Sequence, residues 1–157
     1  MKKLAVAFAL LSSLTAHAGF QEAIQLYYAG KYEEALKEYH AIAAQGDARG
    51  EFGIGYMHHY GHGVARNQTE AIKWFRLAAS HGDISARQYL AIMHQKGEGV
   101  EKDLVASHMW YMLFSRDAPN DRDRAYTKET VTKMERKMTP EDIARAKKMA
   151  AEWKPAS

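Results

Sequence analysis

The 157-residue chain contains no cysteine. That excludes disulfides and thiolate metal sites, and leaves the fold to be held by packing alone. A concentrated basic stripe of the kind that follows a nucleic-acid backbone is also missing. Lys and Arg are interleaved with Asp and Glu, as in SRDAPNDRDR, and the formal net charge is only +3. Nucleic acid is therefore not an expected partner. There is no His-Glu-x-x-His, no phosphate-loop lysine behind a glycine-rich turn, and no Gly-x-Ser-x-Gly elbow. The sequence accordingly points to no catalytic residue, no cofactor and no metal ligand.

Long apolar runs are scarce too, and the one that exists lies at the start. Lys2 and Lys3 precede an uncharged, mostly apolar stretch from Leu4 to Leu14, and TAHA then places Ala16 and Ala18 just before Gly19. This reads as a secretory signal peptide, residues 1–18, cut ahead of Gly19. Its apolar core is too short to cross a bilayer, so no membrane insertion is expected. Gly19 is not a cysteine, which argues against a lipid anchor. The expected product is a periplasmic or secreted domain, 19–157, whose net charge drops to +1 once Lys2 and Lys3 are gone.

What is abundant is repetition. Shifted by 36 positions, MHHYGHGV (57–64) falls on MHQKGEGV (93–100), and EALKEYHAIAAQGD falls on EAIKWFRLAASHGD. Residues 31–66 and 67–102 share 11 identities in 36, against about two expected from ordinary composition. The paired positions are Ala35 and Ala71, Gly46 and Gly82, Gly61 and Gly97, Gly63 and Gly99. Trp74 recurs as Trp110, and Tyr39, Phe75 and Tyr111 share one register. Ala71, Phe75, Ala78 and Ala79 follow helical spacing up to Gly82, which can adopt the positive φ that ends a helix. Asp83 is a suitable N-cap for a second helix carrying Ala86, Leu90 and Met93 and stopping at Gly97. After APNDRD, Val131, Met134 and Met138 mark one amphipathic helix. Thr139, Pro140 and Asp142 open another, with Ile143, Ala146, Ala150 and Trp153 on one face.

These motifs resemble the Sel-one-like repeat, a 36-residue relative of the tetratricopeptide unit. Its pattern is Ala-x-x-Trp, then Ala-Ala-x-x-Gly-Asp, then Met-x-x-x-Gly-x-Gly-Val, and the likeness spans about 32–116. The first unit departs from it, with Glu38 where Trp is typical. The resemblance implies an all-α, right-handed α-solenoid of stacked antiparallel helix pairs. The expected division is a half-repeat helix (19–31), repeats at 32–66 and 67–102, the start of a third at 103–116, and C-terminal cap helices (117–157). It also implies an adaptor that binds another protein or an extended peptide through a concave surface lined by the first helix of each unit. Some exported bacterial members neutralise toxins, which makes an immunity protein the alternative. Cysteine-rich relatives described as β-lactamases offer no parallel, because their cysteine framework is absent here.

Three histidines in HHYGH invite a metal reading. His58 and His94 share one repeat position, however, and His59 and His62 have no carboxylate beside them in the run, so a turn is the simpler reading. A hydrolase or metal-binding protein on a solenoid scaffold is a second alternative. Rings outnumber what two helical faces can bury. Tyr28, Tyr32, Tyr60 and Trp110 are therefore candidate anchors for a protein partner. His40, Lys73 and Arg76, on the first helices of their units, complete the expected protein-binding set.

Overall fold

A computed structural model of the chain describes residues 19–156, so the expected signal peptide lies outside the described residues. Eight helices follow, without a strand among the described residues: α1 (19–28), α2 (Tyr32–Ala43), α3 (Ala48–Tyr60), α4 (Gln68–Ser80), α5 (Ile84–Lys96), α6 (Leu104–Asp117), α7 (Asp121–Glu135) and α8 (Pro140–Glu152). Their starts are written into the sequence. Asp47, Asn67, Asp83, Asp103, Asn120 and Thr139 each stand at an N-cap and accept a hydrogen bond from a first-turn N–H. Each such cap contributes about 1 kcal/mol.

The corners repeat as faithfully as the caps. α3 and α5 end at Gly61 and Gly97, with φ of 75° and 77°. Gly61 N–H donates to the Met57 carbonyl and Gly97 N–H to the Met93 carbonyl, each at 2.8 Å. Two residues later the chain presses against the preceding helix start. A Cβ on Gly63 would lie 2.7 Å from the Tyr32 carbonyl carbon, and one on Gly99 would lie 2.5 Å from that of Gln68. Glycine is needed there because the backbone of one turn touches the backbone of another. Val64 and Val100 then tuck into the two apolar clusters.

Each helix from α2 to α6 packs on the next, giving an α-solenoid of helix pairs. The register Tyr39, Phe75, Tyr111 is buried throughout, and each ring contributes about 2–3 kcal/mol on leaving water. Phe75 is shared between neighbours: it stacks on Tyr89 of α5 at 4.9 Å and lies 5.6 Å from Phe52 of α3. Glycines inside α3 make room for this. A Cβ on Gly53 would meet the Tyr39 ring at 2.4 Å, and one on Gly55 would meet the Phe75 ring at 2.8 Å. Those helix-weakening residues are the cost of seating rings against bare backbone.

At the C-terminal end the pattern changes. α6 is buried on nearly all its faces, because α5, α7 and α8 all pack on it. The sequence extends the α7 face to Met138, whereas the helix ends at Glu135; Met138 lies in the turn and still packs on the main apolar cluster. Buried His108 on α6 shares a hydrogen bond of 2.8 Å with Glu135 through Nε2, and Lys147 of α8 approaches the same carboxylate at 3.6 Å. Trp153 meets Trp110 edge-on at 6.0 Å and covers the Arg87 guanidinium at 4.8 Å. Beyond it, Ala156 N–H donates to the Ser80 carbonyl at 2.7 Å, tying the tail to α4.

The two classes of glycine make different predictions. Gly46 has φ of 76° but open space where a Cβ would go, so Gly46→Ala should cost only the backbone term, about 1 kcal/mol. Gly99→Ala adds a backbone collision and should cost about 3 kcal/mol. Urea unfolding of the two variants checks the order; equal losses would contradict the corner packing.

Candidate protein-binding face

Rings gather along α1, α3 and α5. Tyr27 lies 5.8 Å from Tyr56, Tyr56 lies 5.9 Å from Tyr89 and 4.5 Å from Tyr60, and Phe52 lies 5.6 Å from Tyr89. The seam thus crosses three helices. Its outer members reach solvent, Tyr28 at 83% exposure and Tyr60 at 46%. Beside Tyr28 opens a cleft of about 250 Å³ lined by Phe20, Tyr27, Tyr28, Phe52 and Tyr56, with Arg49 in its wall. Burial raises the Tyr27 phenol above its ordinary pKa, and the Tyr56 hydroxyl raises it further. Burial, followed by Tyr60, does the same to Tyr89. The seam offers apolar area together with hydroxyl donors and acceptors, the combination that makes tyrosine an effective interface residue.

The histidines of the corner join this seam rather than one another. His62 lies flat against Tyr32, 4.6 Å between centroids and 13° between planes, and its Nδ1 meets the Tyr27 hydroxyl at 2.9 Å. His59 Nδ1 shares a hydrogen bond of 2.7 Å with Gln68 Oε1. No group of three or more His, Cys, Asp or Glu placed to hold a metal ion occurs among the described residues. Of the residues singled out in the sequence, Tyr28, Tyr32 and Tyr60 thus sit at the seam. His40, Lys73 and Arg76 are exposed on α2 and α4, apart from it. Lys73 pairs with Glu70 at 2.8 Å, and His40 stands edge-on to Trp74 at 5.8 Å. Trp110 is only 7% exposed beneath Trp153, so its ring is engaged within the chain.

One arrangement looks like chemistry. The Glu51 carboxylate, 2% exposed, holds His81 Nδ1 at 2.9 Å from both oxygens, on the wall of a cleft of about 490 Å³ that Ser85 also lines. A buried acid orienting an imidazole is the usual support for a general base. The repeat supplies a different reason for it. Thirty-six residues on, Glu51 becomes Arg87 and His81 becomes Asp117, and these two also form an ion pair, with Arg87 buried. The same two positions, one in the first turn of an odd helix and one at the end of the following even helix, are bridged in both units with the acid on opposite sides. This is an inter-helix tie, and its polarity is free to invert because only complementarity matters.

The Sel1 repeat family matches residues 48–83 and 84–112. The fold agrees with solved structures. One is a protective antigen present in uropathogenic Escherichia coli strains that displays an SLR fold, with a TM-score of 0.77 and 22% identity over 96% of this chain and 32% of that one. Another is a Sel1 repeat protein from Oxalobacter formigenes, with a TM-score of 0.58 and 32% identity over 62% of this chain and 39% of that one. The chain carries two Sel1 repeats. It spans less than half the length of either structural relative. No curated protein matches it. Sel1 repeats typically serve as non-catalytic scaffolds for protein–protein interaction.

The matched Sel1 repeats begin at α3 and α5, half a period from the division at 32 and 67. Where each helix from α2 to α6 packs on the next, the phase of the unit carries no physical boundary. The ring seam and the inverted charge tie are what the sequence reading missed. Both carry a signal: Glu51, Arg87 and His81, Asp117 can be found by asking which charged positions change sign together under the 36-residue shift.

The tie predicts a rescue. Glu51→Arg alone should cost about 3 kcal/mol by burying an unpaired charge. Adding His81→Asp rebuilds the pair of the next unit and should recover at least half of that, as a double-mutant cycle would show. Additive losses would contradict the assignment. The tie also sets a pH dependence. Hydrogen bonds from Arg116, then Arg87, hold the Asp117 carboxyl below its ordinary pKa. A lowered folded value adds stability above the unfolded carboxylate value of about 4, lost as pH falls through the folded one. Thermal midpoints should therefore drop on acidification below that range, and less steeply in Asp117→Asn.

Proposed function

We propose that this Sel1-repeat protein is an exported adaptor that holds another protein, or an extended segment of one, against the ring seam of α1, α3 and α5. The observation that carries the reading is the seam itself: an uncharged line of tyrosines across consecutive units, with Tyr28 and Tyr60 standing out into solvent. Large aromatic side chains left exposed together are costly in water unless a partner covers them, and they bury much area with few rotors to immobilise. Export rests on the charged start, apolar run and Ala-x-Ala segment ahead of Gly19. The periplasm, or the medium, is the proposed location.

Tyr28→Ala combined with Tyr60→Ala should reduce capture of the native envelope partner about tenfold or more. The melting temperature should stay within a few degrees, because both side chains are exposed. Tyr126→Ala, exposed on α7 away from the seam, should leave capture intact. Unchanged capture by the double variant would overturn the proposed face. The captured protein also separates the two roles. Retention of its activity in the complex fits an adaptor, and abolition of a toxin's activity in a one-to-one complex fits immunity. Intact mass of the exported form should show a chain beginning at Gly19.

A further inference from the structure

A second surface lies at the other end of the array. The α5–α6 connection, α4 and the α7–α8 turn enclose a cleft of about 660 Å³ that brings Arg76, Lys102, Lys137 and Arg145 together from separate elements. A smaller cavity of about 110 Å³ shares Lys102 and Lys137 and adds Lys133. Glu101, Asp103 and Asp142 line the larger cleft with them, so the cations exceed the acids there by one. The Asp103 carboxylate accepts hydrogen bonds from the N–H groups of Val105 and Ala106. Asp142 pairs with Arg145 at 3.0 Å, and Lys133 has its own partner in Glu129 at 2.6 Å. Arg76, Lys102 and Lys137 form no ion pair among the described residues, and Glu101 and Asp103 are the acids of the cleft that oppose them.

The back wall offers no compensation either. His94 is 5% exposed and its Nδ1 has no hydrogen-bond partner. Burial first, and the Arg76 charge second, hold its pKa below the ordinary histidine value, so the imidazole stays neutral at pH 7. Val100, Leu104 and Met138 supply apolar floor beside the cations. The cleft is wider than a single phosphate needs, and its charges are spread over elements rather than focused on one point.

We propose that this cleft receives an acidic peptide segment of a partner protein, its carboxylates facing Arg76, Lys102 and Lys137 and its methylenes resting on Val100, Leu104 and Met138. The surface shares no residue with the ring seam, so it extends the proposed function without depending on the same side chains. Complementary charge of this kind speeds encounter, selects partners and weakens with salt.

The test uses the mature chain and a fluorescein-labelled octapeptide of alternating Glu and Gly, followed by anisotropy at about 0.05 M and about 0.3 M salt. Binding should be present at low salt, weaken at high salt, and be absent for the matching Lys–Gly peptide. Lys102→Glu combined with Lys137→Glu should weaken it about tenfold or more, with helicity by circular dichroism unchanged. Glu101→Lys, which removes one of the two opposing acids, should tighten it, a gain that misfolding cannot mimic. Tyr28→Ala with Tyr60→Ala should leave it unchanged, so a failure of the seam and a failure of this cleft are told apart. No binding, or binding indifferent to all three cleft substitutions, overturns the proposal. Displacement by tripolyphosphate at concentrations matching the peptide also overturns it, in favour of a small-polyanion site.

Discussion

The structure depends on one constraint: no helix here buries its apolar face without its neighbours, the following helix from α2 to α5 and α6 for the closing pair. Phe75 makes this concrete. It belongs to α4, yet its ring lies between Phe52 of α3 and Tyr89 of α5, and α3 gives up a side chain at Gly55 to admit it. Tyr39 and Gly53 repeat the arrangement one step earlier. Stability is then a chain of neighbour contacts, and the glycine corners set the pitch at which those contacts recur. With no cysteine available, nothing covalent substitutes for that packing.

The same logic separates architecture from chemistry. The Glu51–His81 pair has the geometry of a base and its orienting acid, but its counterpart one unit later is Arg87–Asp117. In both units the two positions join one helix to the next, which is what a tie between helices requires. The corner histidines follow suit. His62 stacks on Tyr32 and meets Tyr27, and His59 meets Gln68, so each imidazole has a structural partner of its own. What the units leave for function is their outer faces, and these differ in kind: uncharged rings on α1, α3 and α5, and unpaired cations near the C-terminal end.

Much of this was legible in the sequence because the repeat makes each element vouch for the next. Caps at Asp83 and Thr139, the positive-φ ends at Gly61 and Gly97, and the buried register of Tyr39, Phe75 and Tyr111 all follow from local rules applied at a fixed period. The proposed binding surfaces were harder. Tyr28 and Tyr32 could be named as rings in excess of the core, but the partners that complete the seam, Tyr56 and Tyr89, lie in different units and occupy different registers. Trp110 illustrates the opposite limit. It stands at an ordinary repeat position, and only the return of α8 across α6 decides that Trp153 covers it. That return breaks the period, so the period could not announce it.

Native-state hydrogen exchange tests the neighbour-dependence of the stack most directly. If adjacent helices hold one another as described, the slowest amides should belong to α4, α5 and α6, whose faces are covered on both sides, with protection declining stepwise towards α1. Uniform protection along the array, or exchange in separate two-helix blocks with a break between α3 and α4, would contradict the account.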